Sequence, residues 1–180
     1  MEISLYQKLK NKISNTEHGY LIKKWQDIKP CDNEEEFFRQ YAWVVINTGL
    51  KNQVAQKIYD RMLKAINEGK PIGSAYGNER KASSIEHIYQ KRIEIFQKFI
   101  KADDKLKFLE GLPQIGKVTK YHLARNLGMD VCKPDRHLVR IADQFNTTPY
   151  ELCNRLSLES GDRIGVVDYV LWRAANLNWL

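Results

Sequence analysis

Two short stretches decide the fold: residues 112–119 read Leu-Pro-Gln-Ile-Gly-Lys-Val-Thr, and residues 133–137 read Lys-Pro-Asp-Arg-His. In the first, Pro113 ends one helix, Ile115 fills the turn from the core side, and Gly116 permits the close approach or unusual dihedral angles of a tight reversal. A second helix is expected over 117–127, and Gly128 ends it as the residue after the C-cap. The pattern predicts a helical hairpin.

The start of the second hairpin helix predicts an anion site. Backbone N–H groups from Gly116 to Thr119 point outward along the positive end of the helix dipole. Lys117 and Lys120 add positive charge beside them. A DNA phosphate would fit there.

The remaining sequence shows helical periodicity and no convincing hairpin of strands, which predicts an all-α fold. Asp32 and Asn33 are expected to cap a buried helix, and Asp103 and Asp104 a short one. We expect one helix at about 37–46, a second that begins after the break at 47–49 and runs to about 67, and a third over 85–101. Two more are expected after Pro134 and after Asp162, and 67–84 is the longest expected loop.

Positive charge is concentrated in the middle of the chain. The 180 residues hold 29 Lys and Arg against 22 Asp and Glu, a net charge of +7, and segment 49–140 alone holds 19 against 10. Such a distribution suits a polyanion, most commonly nucleic acid. A solvated helical surface rich in lysine would look the same by charge alone.

Several classes of protein are not expected. No apolar run approaches the length of a membrane span, and the N-terminus has no signal-peptide pattern. The three cysteines, Cys31, Cys132 and Cys153, fit neither a disulfide framework nor a zinc motif, so reduced thiols in the cytoplasm are expected. No histidine pair has metal-ligand spacing, and no glycine-rich phosphate loop is present.

The two stretches together resemble the helix-hairpin-helix (HhH-GPD) DNA glycosylase superfamily, which includes endonuclease III and the 3-methyladenine and 8-oxoguanine glycosylases. Its hairpin reads L-P-G-[VI]-G-x-x-T, from which this chain departs only at Gln114, and an aspartate in a [VP]-D-x-H element lies downstream. Asp135 lies 19 residues after Gly116. The resemblance is strongest over 108–142 and extends over 37–180, whereas 1–29 carries no matching motif.

The resemblance implies a single domain, 1–180, with two helical lobes and DNA bound across the cleft between them. Lobe one would span about 33–131, including the hairpin at 112–119. Lobe two would combine about 1–30 with 132–180. The expected partner is double-stranded DNA containing a damaged base, bound by a monomer in the cytoplasm, associated with the nucleoid if the source is bacterial.

The implied activity is that of a DNA glycosylase of base excision repair, which hydrolyses the N-glycosidic bond of a flipped-out damaged base, an oxidised or alkylated purine. Asp135 would be catalytic, because a fixed carboxylate stabilises the oxocarbenium charge or deprotonates the attacking water. Position alone favours an ordinary N-cap, whereas the hairpin at the family's spacing favours the catalytic role, and the two roles are compatible. His137 is interpreted as a structural residue behind Asp135.

Val118 stands where bifunctional members of the superfamily have a nucleophilic lysine, so a monofunctional enzyme is predicted. Lys120 lies about 200° further round the helix and is better suited to a phosphate. The alternatives are a bifunctional glycosylase/lyase that uses Lys120 or another lysine such as Lys51, and a non-catalytic helix-hairpin-helix DNA-binding protein.

The site prediction has two further parts. Asp168 and Trp172, at i and i+4, share a helix face and could hold the base, the alternative being a surface charge and a core residue. Trp43, Asn47 and Lys51 fall near the other wall of the superfamily's pocket, where Asn47 and Thr48 could enter the DNA. The predicted DNA-binding residues are Gln114, Ile115, Gly116, Lys117, Val118, Thr119 and Lys120.

No cofactor is required by this interpretation. An iron–sulfur cluster cannot form, because Cys153 is the only cysteine in the C-terminal region where some members carry four. No metal is predicted from the residues. The resemblance implies a monovalent cation at the hairpin carbonyls.

Overall fold

Two helices, α3 (Glu34–Asn47) and α11 (Ile164–Asn176), contribute many of the buried side chains, and each forms the centre of one helical unit. The computed structural model describes residues 1–180 and confirms the all-α fold class. No helix combines the length and apolar character needed to cross a membrane. The helices are α1 Ile3–Ser14, α2 Tyr20–Gln26, α3 Glu34–Asn47, α4 Asn52–Asn67, a 3₁₀ helix Ile72–Ser74, α5 Glu79–Gln90, α6 Arg92–Lys101, α7 Lys105–Glu110, α8 Thr119–Asn126, α9 Arg136–Asp143, α10 Pro149–Ser160 and α11 Ile164–Asn176.

The first unit combines the two ends of the chain, Met1–Pro30 and Gly128–Leu180. In it α1, α2, α9 and α10 all pack against α11, which is apolar on nearly every face. The buried carboxylate of Asp162 ties α1 to the turn before α11, because it accepts hydrogen bonds from the Tyr6 hydroxyl at 2.7 Å and from Lys10 Nζ at 2.6 Å. These two partners satisfy a group that would be costly to bury alone.

The second unit is the middle of the chain, Cys31–Leu127, built from α3 to α8. The predicted cap at Asn33 is confirmed, since its side chain accepts a hydrogen bond from the backbone of Glu36 at 2.8 Å. Helices α4, α5, α6 and α8 surround α3. Aromatic packing fills the space between α3 and α6, where the ring of Phe37 lies 5.1 Å from that of Phe99.

The boundary between the units lies earlier in the chain than the predicted lobe boundary at 131. Segment 128–131 belongs to the first unit, where the Arg163 guanidinium donates a hydrogen bond to the Gly128 carbonyl at 2.8 Å. Gly128 also has φ +85° and lies directly against the backbone of Lys29. These contacts join residues far apart in sequence, so the local pattern did not contain them.

Two helix predictions are corrected. The expected loop 67–84 ends at Asn78, whose side chain caps α5 by accepting from the Lys81 backbone at 3.1 Å. The expected single helix 85–101 breaks at Lys91 into α5 and α6. Arg92 favours the break, because its guanidinium donates to the Tyr89 carbonyl at 2.8 Å, satisfying an acceptor at the end of α5.

Three helices, α1, α2 and α10, were not predicted. Helix α10 carries a recognisable signal, a capping box between Thr148 and Glu151 with Pro149 in the first turn. The second hairpin helix is also shorter than the expected 117–127, because α8 begins at Thr119 and ends at Asn126. The short helix capped by Asp104 is confirmed as α7.

Candidate functional site

The hairpin turn takes its unusual backbone conformation at Gln114, not at Gly116 as expected. Gln114 has φ +63°, in the left-handed region that disfavours side chains by about 1–2 kcal/mol. Its side-chain amide donates a hydrogen bond to the Ser84 hydroxyl at 3.3 Å. The Tyr41 hydroxyl donates to the Pro113 carbonyl at 2.8 Å, and Ile115 is buried as predicted. Contacts with Tyr41 and Ser84 therefore hold the turn in place within the second unit.

Gly116 is not required by the internal geometry of the turn. Its φ lies outside the left-handed region, and a Cβ added there would meet nothing closer than the Thr119 hydroxyl at 3.9 Å. The Gly116 N–H donates to that hydroxyl at 2.7 Å, so it is not one of the outward N–H groups expected. The missing side chain leaves the outer face of the turn open to an approaching molecule.

Backbone N–H groups of Lys117, Val118 and Thr119 make no hydrogen bond within the chain, and they precede or begin α8. Lys117 and Val118 are exposed. Lys120 is held differently from the prediction: its ammonium donates to Glu110 at 2.6 Å, and this hydrogen bond raises the pKa of Lys120. Lys117 is thus the hairpin lysine without an acidic partner.

Three of the hairpin carbonyls each accept a hydrogen bond within the chain. The carbonyl of Leu112 accepts from the Ile115 backbone, that of Pro113 from Tyr41, and that of Gly116 from the Lys120 backbone. No group of three or more His, Cys, Asp or Glu side chains is arranged to hold a metal ion. A monovalent cation at the hairpin carbonyls stays a prediction.

Asp135 is the N-cap of α9, as one of its two predicted roles requires. Its Oδ1 accepts hydrogen bonds from the backbone N–H groups of His137 at 2.9 Å and Leu138 at 3.2 Å. Its Oδ2 lies 3.7 Å from the ammonium of Lys133, and its side chain is 16% exposed. The Asp135 carboxylate therefore lies at the positive end of the α9 dipole and near an ammonium group.

Lys133 is a candidate residue that the sequence reasoning missed. Only Pro134, with its restricted φ, separates it from Asp135, so the two side chains are held close. The Lys-Pro-Asp triplet in the sequence already indicates that the Lys133 ammonium can lie near the Asp135 carboxylate. His137 contributes its backbone N–H to the cap, and the structural role of its side chain stays a prediction.

The structure links Asp168 to the Asp135 loop. Asp168 is only 2% exposed, so the alternative of a surface charge is wrong, and its Oδ2 accepts a hydrogen bond from the Lys133 backbone at 2.9 Å. Trp172 is half-buried in the same unit, with the Arg173 guanidinium 4.8 Å from its ring centre. A direct contact of these residues with a base stays a prediction.

The other predicted pocket residues, Trp43, Asn47 and Lys51, lie near the α3–α4 turn of the second unit. Trp43 packs edge-to-face on Tyr59 with 5.6 Å between ring centres. Asn47 ends α3 and is half-buried, whereas Lys51 is exposed. Thr48 is tied down, because its carbonyl accepts from the Lys81 ammonium at 2.6 Å. A role for Trp43, Asn47 and Lys51 in a base pocket stays a prediction.

The two units also differ in charge. The second unit, Cys31–Leu127, carries 17 Lys and Arg against 12 Asp and Glu, whereas the first carries 12 against 10. The positive excess therefore lies mainly in the unit that bears the hairpin, as expected of a surface that meets a polyanion.

No known family model matches the sequence, and no curated protein matches it significantly. Among solved structures, the chain is similar to the 8-oxoguanine glycosylase/lyase of Methanocaldococcus jannaschii, crystallised with a 15mer DNA containing 8-oxoguanine. The TM-score is 0.61 at 17% sequence identity, over 92% of this chain and 94% of that chain. This likeness confirms, at the level of the fold, the resemblance inferred from 112–119 and 133–137.

Proposed function

We propose that the protein is a DNA glycosylase of base excision repair, which hydrolyses the N-glycosidic bond of a damaged base in duplex DNA. Asp135 carries the proposal: a partly buried carboxylate whose Oδ1 is held by two backbone N–H groups while Oδ2 makes no hydrogen bond. A carboxylate fixed in this way is suited to stabilise positive charge that develops on a sugar.

The chemistry follows from that carboxylate. As the bond from C1′ to the base nitrogen breaks, positive charge builds on the deoxyribose ring, and the Asp135 carboxylate stabilises it. A water molecule attacks C1′, its proton passes to the carboxylate, and the bond electrons leave with the base. Two backbone hydrogen bonds keep the carboxylate in place, so little reorganisation is needed at the moment of reaction.

The hairpin provides the DNA contact in this proposal. The N–H groups of Lys117, Val118 and Thr119 and the exposed Lys117 ammonium suit a phosphate oxygen, while the base itself must leave the stack to reach a pocket. Such contacts position the duplex without reading its sequence. We propose that a monomer makes them.

The proposed substrate is an oxidised or alkylated purine, and 8-oxoguanine is the first to test because the structurally similar protein was crystallised with it. The experiment measures base release from a panel of duplexes that each hold one lesion, next to an undamaged duplex. Release from one or more lesions supports the proposal. Binding to duplex DNA without release from any lesion would favour the non-catalytic alternative.

Hydrolysis is proposed as the base-release step because position 118 offers no amine. A glycosylase/lyase is the second candidate, and the structure supports it through Lys133, whose ammonium lies 3.7 Å from the carboxylate that would face C1′. Lys120, by contrast, is paired with Glu110. If a lyase step exists, Lys133 is therefore a better placed nucleophile than Lys120.

Borohydride trapping on a duplex that already contains an abasic site separates these two candidates without reference to the lesion. For the hydrolytic enzyme we expect no covalent complex and an abasic strand that breaks only after alkali or heat. A complex that forms with the wild type and Lys120→Ala but not with Lys133→Ala would establish the lyase and its nucleophile.

Gly116→Ala tests the hairpin separately from the fold. Because the turn has room for a methyl group, we expect the free energy of unfolding to change by less than about 0.5 kcal/mol. Affinity for all duplexes should fall roughly tenfold, because a methyl group on the outer face of the turn would keep a phosphate from about one of its hydrogen bonds to the nearby backbone N–H groups. Equilibrium binding and urea unfolding measure the two effects. Unchanged binding by the folded variant would remove the turn from the DNA interface.

A further inference from the structure

A buried carboxyl group stands behind the candidate catalytic loop. Asp168 lies in the middle of α11, among fully buried neighbours such as Val167 and Leu171, and is itself 2% exposed. A polar group in such surroundings is costly unless it is hydrogen-bonded. Its Oδ2 accepts from the backbone N–H of Lys133 at 2.9 Å, across 35 residues of sequence.

Lys133 is held at both ends of its backbone. The Lys133 N–H donates a hydrogen bond to the Asp168 carboxylate, and the Lys133 carbonyl accepts one from the Asp135 N–H at 2.7 Å. Pro134 between them has a ring-restricted φ and no N–H to give elsewhere. A short, stiff chain of contacts therefore connects the buried side chain on α11 with the backbone of Asp135.

We propose that Asp168 is a positioning residue for Asp135: by holding the Lys133 N–H it sets the orientation in which the Asp135 carboxylate meets its substrate. This rests on the proposed function of Asp135. It gives Asp168 a role that needs no contact with the base, since the group acts through the loop. A displacement of the carboxylate of about 1 Å would be enough to lower the rate by up to about 10²-fold.

Asp130 supplies a matched control. Its Oδ1 accepts the backbone N–H of Gly165 at 3.0 Å, again a carboxylate-to-backbone bond across 35 residues in the same unit. That bond fastens the start of α11 and does not involve the backbone of Lys133 or Asp135. A general loss of stability should therefore appear in variants of either aspartate, but misplacement of Asp135 only in variants of Asp168.

The experiment compares Asp168→Asn, Asp168→Leu and Asp130→Ala in the full chain. Asparagine keeps an acceptor for the Lys133 N–H, whereas leucine fills the space without one. At saturating lesion duplex we expect the rate of base release to fall at least tenfold in Asp168→Leu, with KM changed less than twofold. Asp168→Asn should stay within about threefold of the wild type, and Asp130→Ala should match it.

Hydrogen exchange gives a readout that does not depend on catalysis. The amides of Lys133 and Asp135 should be protected in the wild type, and Asp168→Leu should lose this protection while Asp168→Asn keeps it. If the wild type releases no damaged base, the proposed function fails, and the exchange result still tests whether Asp168 holds the Lys133 N–H. The positioning role is overturned if Asp168→Leu loses protection at Lys133 yet releases base at the wild-type rate, or if Lys133 is unprotected in the wild type.

Discussion

Asp135→Asn should lower the rate of base release by roughly 10²-fold or more, the usual cost of removing one preorganised electrostatic stabiliser. Asparagine has nearly the same shape and remains a good N-cap, so the bonds to the His137 and Leu138 backbones are retained. What it removes is the negative charge that, in the proposed mechanism, stabilises the sugar. The single-turnover rate on the preferred lesion duplex measures this effect.

Binding of the same duplex provides the comparison, and we expect its affinity to change by less than about twofold because asparagine leaves the contacts to the phosphates intact. Asp143→Asn is the matched control, an identical change at an exposed position at the end of α9. It should leave both the rate and the affinity unaltered. Base release by Asp135→Asn at the wild-type rate would refute the catalytic role and leave Asp135 as a helix cap.

Gly128→Ala should destabilise the first unit by about 2–5 kcal/mol, because two costs add there. The backbone φ of +85° disfavours any side chain by about 1–2 kcal/mol. The added Cβ would also lie 2.2 Å from the Lys29 carbonyl oxygen and 2.7 Å from the Pro30 Cα. Both are backbone atoms, so the chain itself must move, and overpacking of this kind typically costs about 1–3 kcal/mol more.

Gly161→Ala isolates the first of these costs. Gly161 has φ +75° and belongs to the same unit, but nothing lies within 4 Å of its would-be Cβ. We expect its loss of stability to be about 1 kcal/mol, from the backbone conformation alone. Urea unfolding followed by circular dichroism compares the two variants, and equal losses would show that the contact with Lys29 does not constrain this part of the chain.

Much of the candidate site could be predicted because it is local in sequence. The hairpin is a contiguous turn that includes backbone bonds between residues three and four apart, from the Ile115 N–H to the Leu112 carbonyl and from the Lys120 N–H to the Gly116 carbonyl. The Asp135 cap likewise involves only the next three residues. Caps at Asn33 and Asp104 followed from the same local chemistry.

Predictions that went wrong concern residues whose environment is set from elsewhere in the chain. Over 85–101 the apolar spacing is continuous, so nothing in the pattern distinguishes one helix from α5 and α6 broken at Lys91. The left-handed residue is Gln114, whose conformation is supported by contacts of the hairpin with Ser84 and Tyr41. Both outcomes depend on packing against other helices, which overrides local propensity.

The all-α class, the hairpin at 112–119 and the cap at Asp135 follow from the amino-acid sequence, since turn chemistry and helical periodicity act over a few residues. The pairing of Glu110 with Lys120 and the hydrogen bond from the Lys133 backbone to Asp168 become visible in the folded chain alone. The physical reason is that a charged or buried polar side chain is satisfied by whichever partner the folded chain brings within about 3 Å, and sequence spacing does not encode that distance.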